Sequence, residues 1–386
     1  MKNILFVASD NSAVSGAFLC LTKLCEELKK YNINPIVVIP YDGDGGKLLD
    51  KAGIKTYRVD SYSWTIPQKP PNTRFYLGAI RRLVWNRKAI DEIRKIIRAE
   101  KIDLIHINTS WTYVGAAAAK KEGIPYVWHF RELLKEGQNR RILFKRQGYS
   151  LIRGAEKIVA VSQYVYDHIK KDIKCRDNQL VVIPEGLDEN QYCCQRSILN
   201  KKAVNILDVG RLNEEKGQIQ LVKAAKLLSD RHYKIEIVGS DEGDEGYADF
   251  LKEIAKKDGT ANEIIFCGKT DNTTQYYNKA DIFVMSATAD AFGRTTVEAM
   301  MAGCLVIGAN AGATPELLNN GEYGFLYEPY DSADLAEKIK YVINNRQRAR
   351  EIATAGQRYA LENFTAAINA ENVANLYKSI RHNAGD

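Results

Sequence analysis

Residues 280–316 read ADIFVMSATADAFGRTTVEAMMAGCLVIGANAGATPE, and this stretch decides the fold. A short β-branched and aromatic run, Ile282–Ser286, ends in Ala287-Thr288-Ala289-Asp290-Ala291-Phe292-Gly293. A helical pattern opens near Thr295 and carries Glu298. A second apolar run, Leu305–Ala309, leads into Gly312-Ala313-Thr314-Pro315-Glu316. Strand, small-residue loop, helix, strand and Gly-containing loop in succession describe a parallel sheet wound by helices. Continuous apolar runs suit strands buried on both faces. Small-residue loops at a helix N-terminus expose backbone N–H groups and the positive end of the helix dipole, which suits phosphate or an anionic leaving group.

The same alternation extends in both directions. Upstream, apolar runs occur at Ile4–Ala8, Pro35–Ile39, Lys55–Val59, Leu104–Asn108, Tyr126–Phe130, Lys157–Ser162 and Leu180–Ile183, with helical patterns at Ala17–Lys30 and Thr73–Ala99. The polar stretch Glu189–Ala203 lacks periodicity and reads as a linker. The alternation then restarts with strands at Val204–Val209, Lys234–Val238 and Ile264–Cys267, and helices at Gly217–Ser229 and Tyr247–Lys257. The stretch Ser332–Ile380 reads as helical with Gly356 as its only breaker. We therefore expect an α/β protein of two Rossmann-like domains, residues 1–190 and 191–365, facing a cleft. A C-terminal helix over 366–386 is expected to cross back to the first domain. In such sheets ligands bind beyond the carboxyl ends of the strands.

The composition agrees. The chain has 386 residues, 45% of them hydrophobic and 27% charged, with 27 Gly and 9 Pro and no period. That excludes wholesale disorder, collagen and coiled coil. Its formal charge of +7 is unevenly spread. Residues 1–190 hold 32 Lys+Arg against 21 Asp+Glu, and the remainder 23 against 27. Seven cysteines without a CxxC pair suggest reduced thiols in a cytoplasmic protein. The N-terminal apolar run is too short for a signal peptide, and no run reaches the ~20 apolar residues that span a bilayer.

Several residues carry candidate chemistry. Gly210-Arg211-Leu212 and Lys216-Gly217 follow the first strand of the second half. A guanidinium and an ammonium there suit the two charges of a diphosphate. Glu298, one turn into its helix, suits a pair of vicinal hydroxyls. Ser15-Gly16-Ala17 opens a helix after the first strand, where Gly16 lets a backbone N–H approach a ligand and Ser15 can cap. His129 ends a strand, and a histidine can hydrogen-bond or shuttle protons. His106, within a strand, reads as structural.

Asp290-x7-Glu298, Ala299-Met300-x-Ala302-Gly303 and Gly312-x-x-Pro315-Glu316 resemble the C-terminal signature of family 4 glycosyltransferases, which are retaining enzymes of the GT-B fold. Val209-Gly210-Arg211-Leu212-x3-Lys216-Gly217, Ile183-Pro184-x-Gly186-x-Asp188, Val161-Ser162 and Ile237-Val238-Gly239 match further family segments in order. The resemblance implies sugar transfer, with retention and without a metal, from a nucleotide diphosphate sugar, expected to be a UDP-sugar. The acceptor would be a glycan or lipid-linked saccharide in bacterial cell-surface polysaccharide synthesis. Arg211 and Lys216 would stabilise the leaving diphosphate, and Glu298 would bind the ribose. Asp290 stands where the family has Glu, one methylene shorter, and would contact the donor sugar. The N–H groups of Ala291, Phe292, Gly293 and Arg294 would hold sugar and phosphate oxygens, with the Arg294 side chain assisting. Gly16 would approach the donor, and His129 the donor sugar or acceptor.

No resident cofactor is expected. Asp42-Gly43-Asp44 imitates the Asp-x-Asp metal motif of the other major glycosyltransferase fold, but two carboxylates beside Gly45 and Gly46 read as a polar turn. Nine basic residues between Arg74 and Lys101, near Trp64, Phe75, Tyr76 and Trp85, suggest an anionic membrane surface, and a second basic cluster follows at Arg131–Arg146. Nucleic acid is not expected, for want of a recognition motif. Two alternatives share the fold: a sugar-nucleotide 2-epimerase and a non-catalytic sugar-nucleotide-binding subunit. A nicotinamide dehydrogenase is a distant third reading, since no Gly-x-Gly-x-x-Gly follows either opening strand.

Overall fold

The structure is a computed structural model that describes residues 1–69, 72–194, 196–228 and 232–380. Two compact units divide the chain. The first comprises Met1–Gly186 and the segment from Ala366 onward, and the second Leu187–Thr365.

Among the described residues, nine strands belong to the first unit: β1 (Lys2–Val7), β2 (Ile33–Ile39), β3 (Lys55–Arg58), β4 (Thr65–Pro67), β5 (Leu104–Ile107), β6 (Tyr126–Phe130), β7 (Arg140–Ile142), β8 (Lys157–Ala160) and β9 (Leu180–Val182). Its helices are α1 (Gly16–Leu28), α2 (Gly46–Lys51), α3 (Thr73–Ala99), α4 (Val114–Glu122), α5 (Lys145–Arg153) and α6 (Gln163–Ile173). Seven strands form one parallel sheet in the order β3-β2-β1-β5-β6-β8-β9. The apolar runs become its buried middle, where Ile4 to Val7 have no exposure. Polar caps set helix starts: Asn72 accepts from Phe75 N–H and Ser162 from Val165 N–H.

Sequence pattern did not reveal β4 and β7, an antiparallel pair pairing Thr65 with Ile142 and Pro67 with Arg140. Three-residue strands are too short to show alternation. The pair is held instead by Arg140, whose guanidinium donates to Thr65 Oγ1 and to the Thr65 carbonyl.

The second unit opens with α7 (Glu189–Tyr192), inside the stretch read as a linker, capped by Asp188. Its six-stranded parallel sheet contains β10 (Val204–Val209), β11 (Tyr233–Val238), β12 (Ile264–Gly268), β13 (Ile282–Met285), β14 (Leu305–Ala309) and β15 (Phe325–Tyr327), in the order β12-β11-β10-β13-β14-β15. This is the Rossmann order, reversing between β10 and β13. Helices α8 (Ile219–Lys226), α9 (Tyr247–Lys257), α10 (Thr274–Tyr277), α11 (Arg294–Met301), α12 (Thr314–Leu317), α13 (Ser332–Asn344) and α14 (Arg346–Asn363) complete it. The expected end of α8 at Ser229 lies outside the described residues.

The helical stretch expected over Ser332–Ile380 is three helices, α13, α14 and a terminal helix, Ala366–Ser379. The breaks fall at Asn345 and at Phe364–Thr365, not at Gly356, which is buried within α14. Asn345 leaves helical geometry, and the Arg346 guanidinium donates to the carbonyls of Leu199 and Lys202. Phe364 O accepts from Leu187 N–H, and Thr365 pairs with Leu187 as a β-bridge.

The terminal helix packs into the first unit. Ala370, Val373, Ala374, Tyr377 and Ile380 join one core with Phe18, Leu21, Leu24 and Leu28 of α1. Truncation after Thr365 strips this face and should cost the first unit on the order of 5 kcal/mol. Calorimetry should show an early first-unit transition, with the second-unit transition unchanged.

Candidate active site

The loops after β10 and β13 leave the second sheet side by side, because these strands are neighbours, in register at Ile206–Ile282 and Leu207–Phe283. This is the point at which strand order reverses, where open α/β sheets take their ligands. After β10 the chain passes Gly210 and Arg211 into a 3-10 turn, Glu214–Lys216, where the Asn213 side chain accepts from Lys216 N–H at 2.9 Å. Gly217 follows at φ +69°, and a Cβ there would lie 2.6 Å from the Ser286 carbonyl oxygen. Gly239, after β11, has φ +149°, and its Cβ would fall 1.8 Å from the Gly210 carbonyl oxygen. Only glycine admits such backbone approaches.

Lys216 Nζ reaches Asp290 Oδ2 at 2.5 Å. Burial pushes the Asp290 carboxyl up, but the ammonium and loop N–H groups outweigh it and hold it below its usual range. Asp290 in turn raises the Lys216 ammonium. Asp290 Oδ1 also accepts from its own loop, from Gly293 N–H at 2.9 Å and Phe292 N–H at 3.4 Å. Those two N–H groups, expected to receive ligand oxygens, are thus already engaged; a short Asp side chain readily closes such a turn. The Asp290 carbonyl accepts from Ala313 N–H, so the Gly312 turn braces the loop from behind.

Glu298 is buried and its carboxylate is occupied. It accepts from Tyr192 Oη at 3.1 Å, Tyr277 Oη at 2.8 Å and Arg294 Nη2 at 2.9 Å. A carboxylate offers about four acceptor sites, so room remains for a further donor. Arg294 is committed to Glu298. Ala291 bears no side chain that reaches a ligand. The hydroxyls of Thr296 and Thr314, at the first turns of α11 and α12, are buried without a partner among the described residues. Arg211 is exposed and makes no ion pair among the described residues.

Asp208 near the end of β10 is 4% exposed. Burial pushes its carboxyl up to about 7, against the pull of Gln218, Lys216 and Ser286.

The first unit holds its own candidates. Gly16 is the first residue of α1. Ser15 stands at the cap position but makes no cap; its hydroxyl donates to Asp10. His129 has no exposure and its Nδ1 lies 3.1 Å from His106 Nε2. Burial, Arg131 and His106 lower its pKa well below the usual value, so the ring is neutral. Arg131 Nη1 pairs with Glu185 and its Nε donates to Asn108 Oδ1, each at 3.0 Å. Asp42 pairs with Arg58 and Asp44 accepts from Ala13 N–H, so the two carboxylates serve different partners.

A cavity of about 270 Å³ opens beside Glu132, Arg140, Lys145, Tyr149 and His168. Glu132 Oε1 accepts from Ser110 N–H and Oγ, while burial raises its carboxyl to about 7.

Two family models match, "Glycosyl transferases group 1" over residues 195–359 and "Glycosyltransferase Family 4" over 14–191. The chain belongs to glycosyltransferase family 4. This glycosyltransferase is 26% identical over 312 residues to an uncharacterized glycosyltransferase of Methanocaldococcus jannaschii, covering 79% of this chain and 82% of the relative. It is 22% identical over 240 residues to the capsular polysaccharide biosynthesis glycosyltransferase CapM of Staphylococcus aureus, covering 58% and 62%. Anabaena HepE, solved with UDP and glucose, shares its fold at a TM-score of 0.79 and 24% identity, covering 98% of this chain and 100% of that one. The fold is GT-B: two Rossmann-like parallel-sheet units.

Sequence reasoning missed Tyr192, Tyr277, Asp208 and Glu132, and it read Arg131 only as part of a basic cluster, whereas the residue is buried and paired with Glu185. Tyr192 alone carried a signal, as an aromatic in an otherwise polar stretch.

The Asp208 environment predicts a pH effect. A folded pKa above the unfolded one makes its contribution most favourable below about pH 4 and erodes it as pH rises through about 7. Asp208→Asn, which cannot ionise, should therefore gain on the wild type in thermal midpoint between pH 4 and 7 and level off above. A gap that is constant with pH contradicts the assignment.

Proposed function

We propose that this glycosyltransferase moves a sugar, with retention, from a UDP-sugar to a saccharide or lipid-linked saccharide during cell-surface polysaccharide synthesis. The observation that carries the reading is the meeting of Lys216 and Asp290 beside Arg211 at the ends of β10 and β13. A diphosphate in the Arg211 loop meets an exposed guanidinium that makes no ion pair among the described residues, and an ammonium already oriented. As the sugar–phosphate bond breaks, charge builds on the leaving diphosphate, and fixed cations lower that barrier without a metal ion. Asp290 positions Lys216 and presents its carboxylate to the donor sugar. Glu298 keeps room for a ribose hydroxyl. The leaving phosphate takes the acceptor proton, so no acid–base dyad is required. UDP as the nucleotide is supported by HepE, solved with UDP-glucose, and the polysaccharide role by CapM.

The cavity beside Glu132 is the proposed acceptor site, since it offers a carboxylate, cations and an aromatic ring for hydroxyls and sugar faces.

Mass spectrometry of transfer and hydrolysis across UDP-, GDP- and ADP-sugars is the direct test. UDP-sugars should turn over in the presence of EDTA and give product of unchanged anomeric configuration. Arg211→Ala and Lys216→Ala should each lose roughly a hundredfold or more in kcat. Full activity in both contradicts the site; an epimer formed from UDP-N-acetylglucosamine without acceptor identifies an epimerase instead.

The basic first unit supports docking on an anionic membrane. Along the first half of α3, Leu77, Ile80, Val84 and Trp85 are 64%, 42%, 50% and 45% exposed. Arg74, Arg81, Arg87 and Lys88 are exposed around them. Apolar side chains outward with cations alongside suit the interface of an anionic bilayer. No helix among the described residues is long and apolar enough to cross a membrane. Co-sedimentation with anionic vesicles should be strong at low salt and weaken in Leu77→Gln/Val84→Gln; equal behaviour with neutral vesicles removes this surface from the reading.

A further inference from the structure

His129 ends a buried row of three side chains in the first unit. The Tyr377 hydroxyl, carried in by the terminal helix, lies 2.6 Å from His106 Nδ1. His106 Nε2 lies 3.1 Å from His129 Nδ1. None of the three is more than 2% exposed. Phe6 packs against the His106 ring with centroids 4.9 Å apart. At the far end, His129 Nε2 is buried and has no partner among the described residues.

Two proton arrangements fit these distances. In one, Tyr377 donates to His106 Nδ1, the His106 Nε2 proton is donated to His129 Nδ1, and His129 is left with a free Nε2–H. In the other, both histidines carry their protons on Nδ1, and the Tyr377 proton has nowhere to go. Each neutral imidazole has one donor and one acceptor nitrogen, and a buried tyrosine keeps its proton. The second arrangement orphans a buried O–H inside the core as well as leaving Nε2 unpartnered, so the first is favoured.

We propose that Tyr377 is a positioning residue that, through His106, fixes His129 as its Nε2–H tautomer, so that the ring presents a single N–H donor to an oxygen of the substrate. His129 lies near the carboxyl end of β6, on the ligand-binding edge of the sheet. Two residues on, Arg131 Nη2 is a second buried donor without a partner among the described residues. Both groups call for an oxygen lone pair, from a hydroxyl or a phosphate. The wrong tautomer would oppose that oxygen with a lone pair. The substrate contact rests on the glycosyl-transfer reading above; the tautomer does not.

The test is a long-range proton–nitrogen correlation spectrum of the full chain labelled with ¹⁵N-histidine. In the wild type, His129 should show a protonated Nε2 and a bare Nδ1, and the Nε2 signal should move on adding UDP-glucose. Tyr377→Phe keeps the ring but not the donor. It should give His129 mixed tautomers and about a tenfold lower kcat, with the donor KM little changed. A protonated Nδ1 in the wild type overturns the proposal without any variant having to fold. So does a Tyr377→Phe spectrum that keeps the pure Nε2–H form. The stated tautomer with no response to any UDP-, GDP- or ADP-sugar overturns the substrate contact and counts against the transfer reading, a result separate from either failure of the relay.

Discussion

An ammonium and a carboxylate meet where two neighbouring strands end, and the chemistry of the second unit is arranged about that pair. Strand order makes β10 and β13 neighbours, and their loops therefore share one edge. Gly217 and Gly239 let the loop backbones close up until Lys216 and Asp290 touch. A partly exposed pair of this kind adds little to stability. Its value is orientation: the cation is held still before any phosphate arrives, and its charge is balanced while the site is empty. Asp208 extends this logic. A carboxyl with a pKa near 7 adds only part of a negative charge close to Lys216, and an arriving anion shifts it further toward the neutral acid.

At this site Lys216 is coupled to Asp290 and Arg294 to Glu298, while Arg211 makes no ion pair among the described residues. That explains how an acidic half of the chain is equipped for an anionic ligand. At this range the placement of a few cations counts for more than the net charge of the half. Glu298 shows the complementary strategy. Two tyrosines and an arginine fix both its oxygens, so the remaining acceptor direction is set by the protein.

The architecture was legible because buried parallel strands write themselves as unbroken apolar runs. Tyr126–Phe130 is a strand and Thr73–Ala99 a helix, each with the ends that the pattern predicts. What was hidden depended on partners distant in sequence. The β4–β7 pair rests on Arg140 reaching Thr65, and the breaks in the C-terminal helices rest on Arg346 and Leu187. Among candidate site residues, the motifs singled out Lys216, Asp290 and Glu298 but said nothing of the protein groups they touch. Two residues seen separately as a phosphate ligand and a sugar ligand are each other's partner. Tyr277 and Tyr192 had no motif to announce them, since a phenol aimed at a carboxylate is visible only once the chain has folded.

Leu187 and Phe364–Thr365 are joined by a hydrogen bond and a bridge, so the second unit enters and leaves through one knot. The terminal helix must find α1 across everything between. In an unfolded chain, closing a loop of that length costs on the order of 4 kcal/mol in entropy. Once Leu187–Thr365 has folded, its ends are already together and the loop is effectively a few residues long. During synthesis the first unit therefore waits, with one apolar face of α1 bare, for its own last helix to leave the ribosome. Assembly order is written into the topology: the middle of the chain completes the beginning by delivering the end.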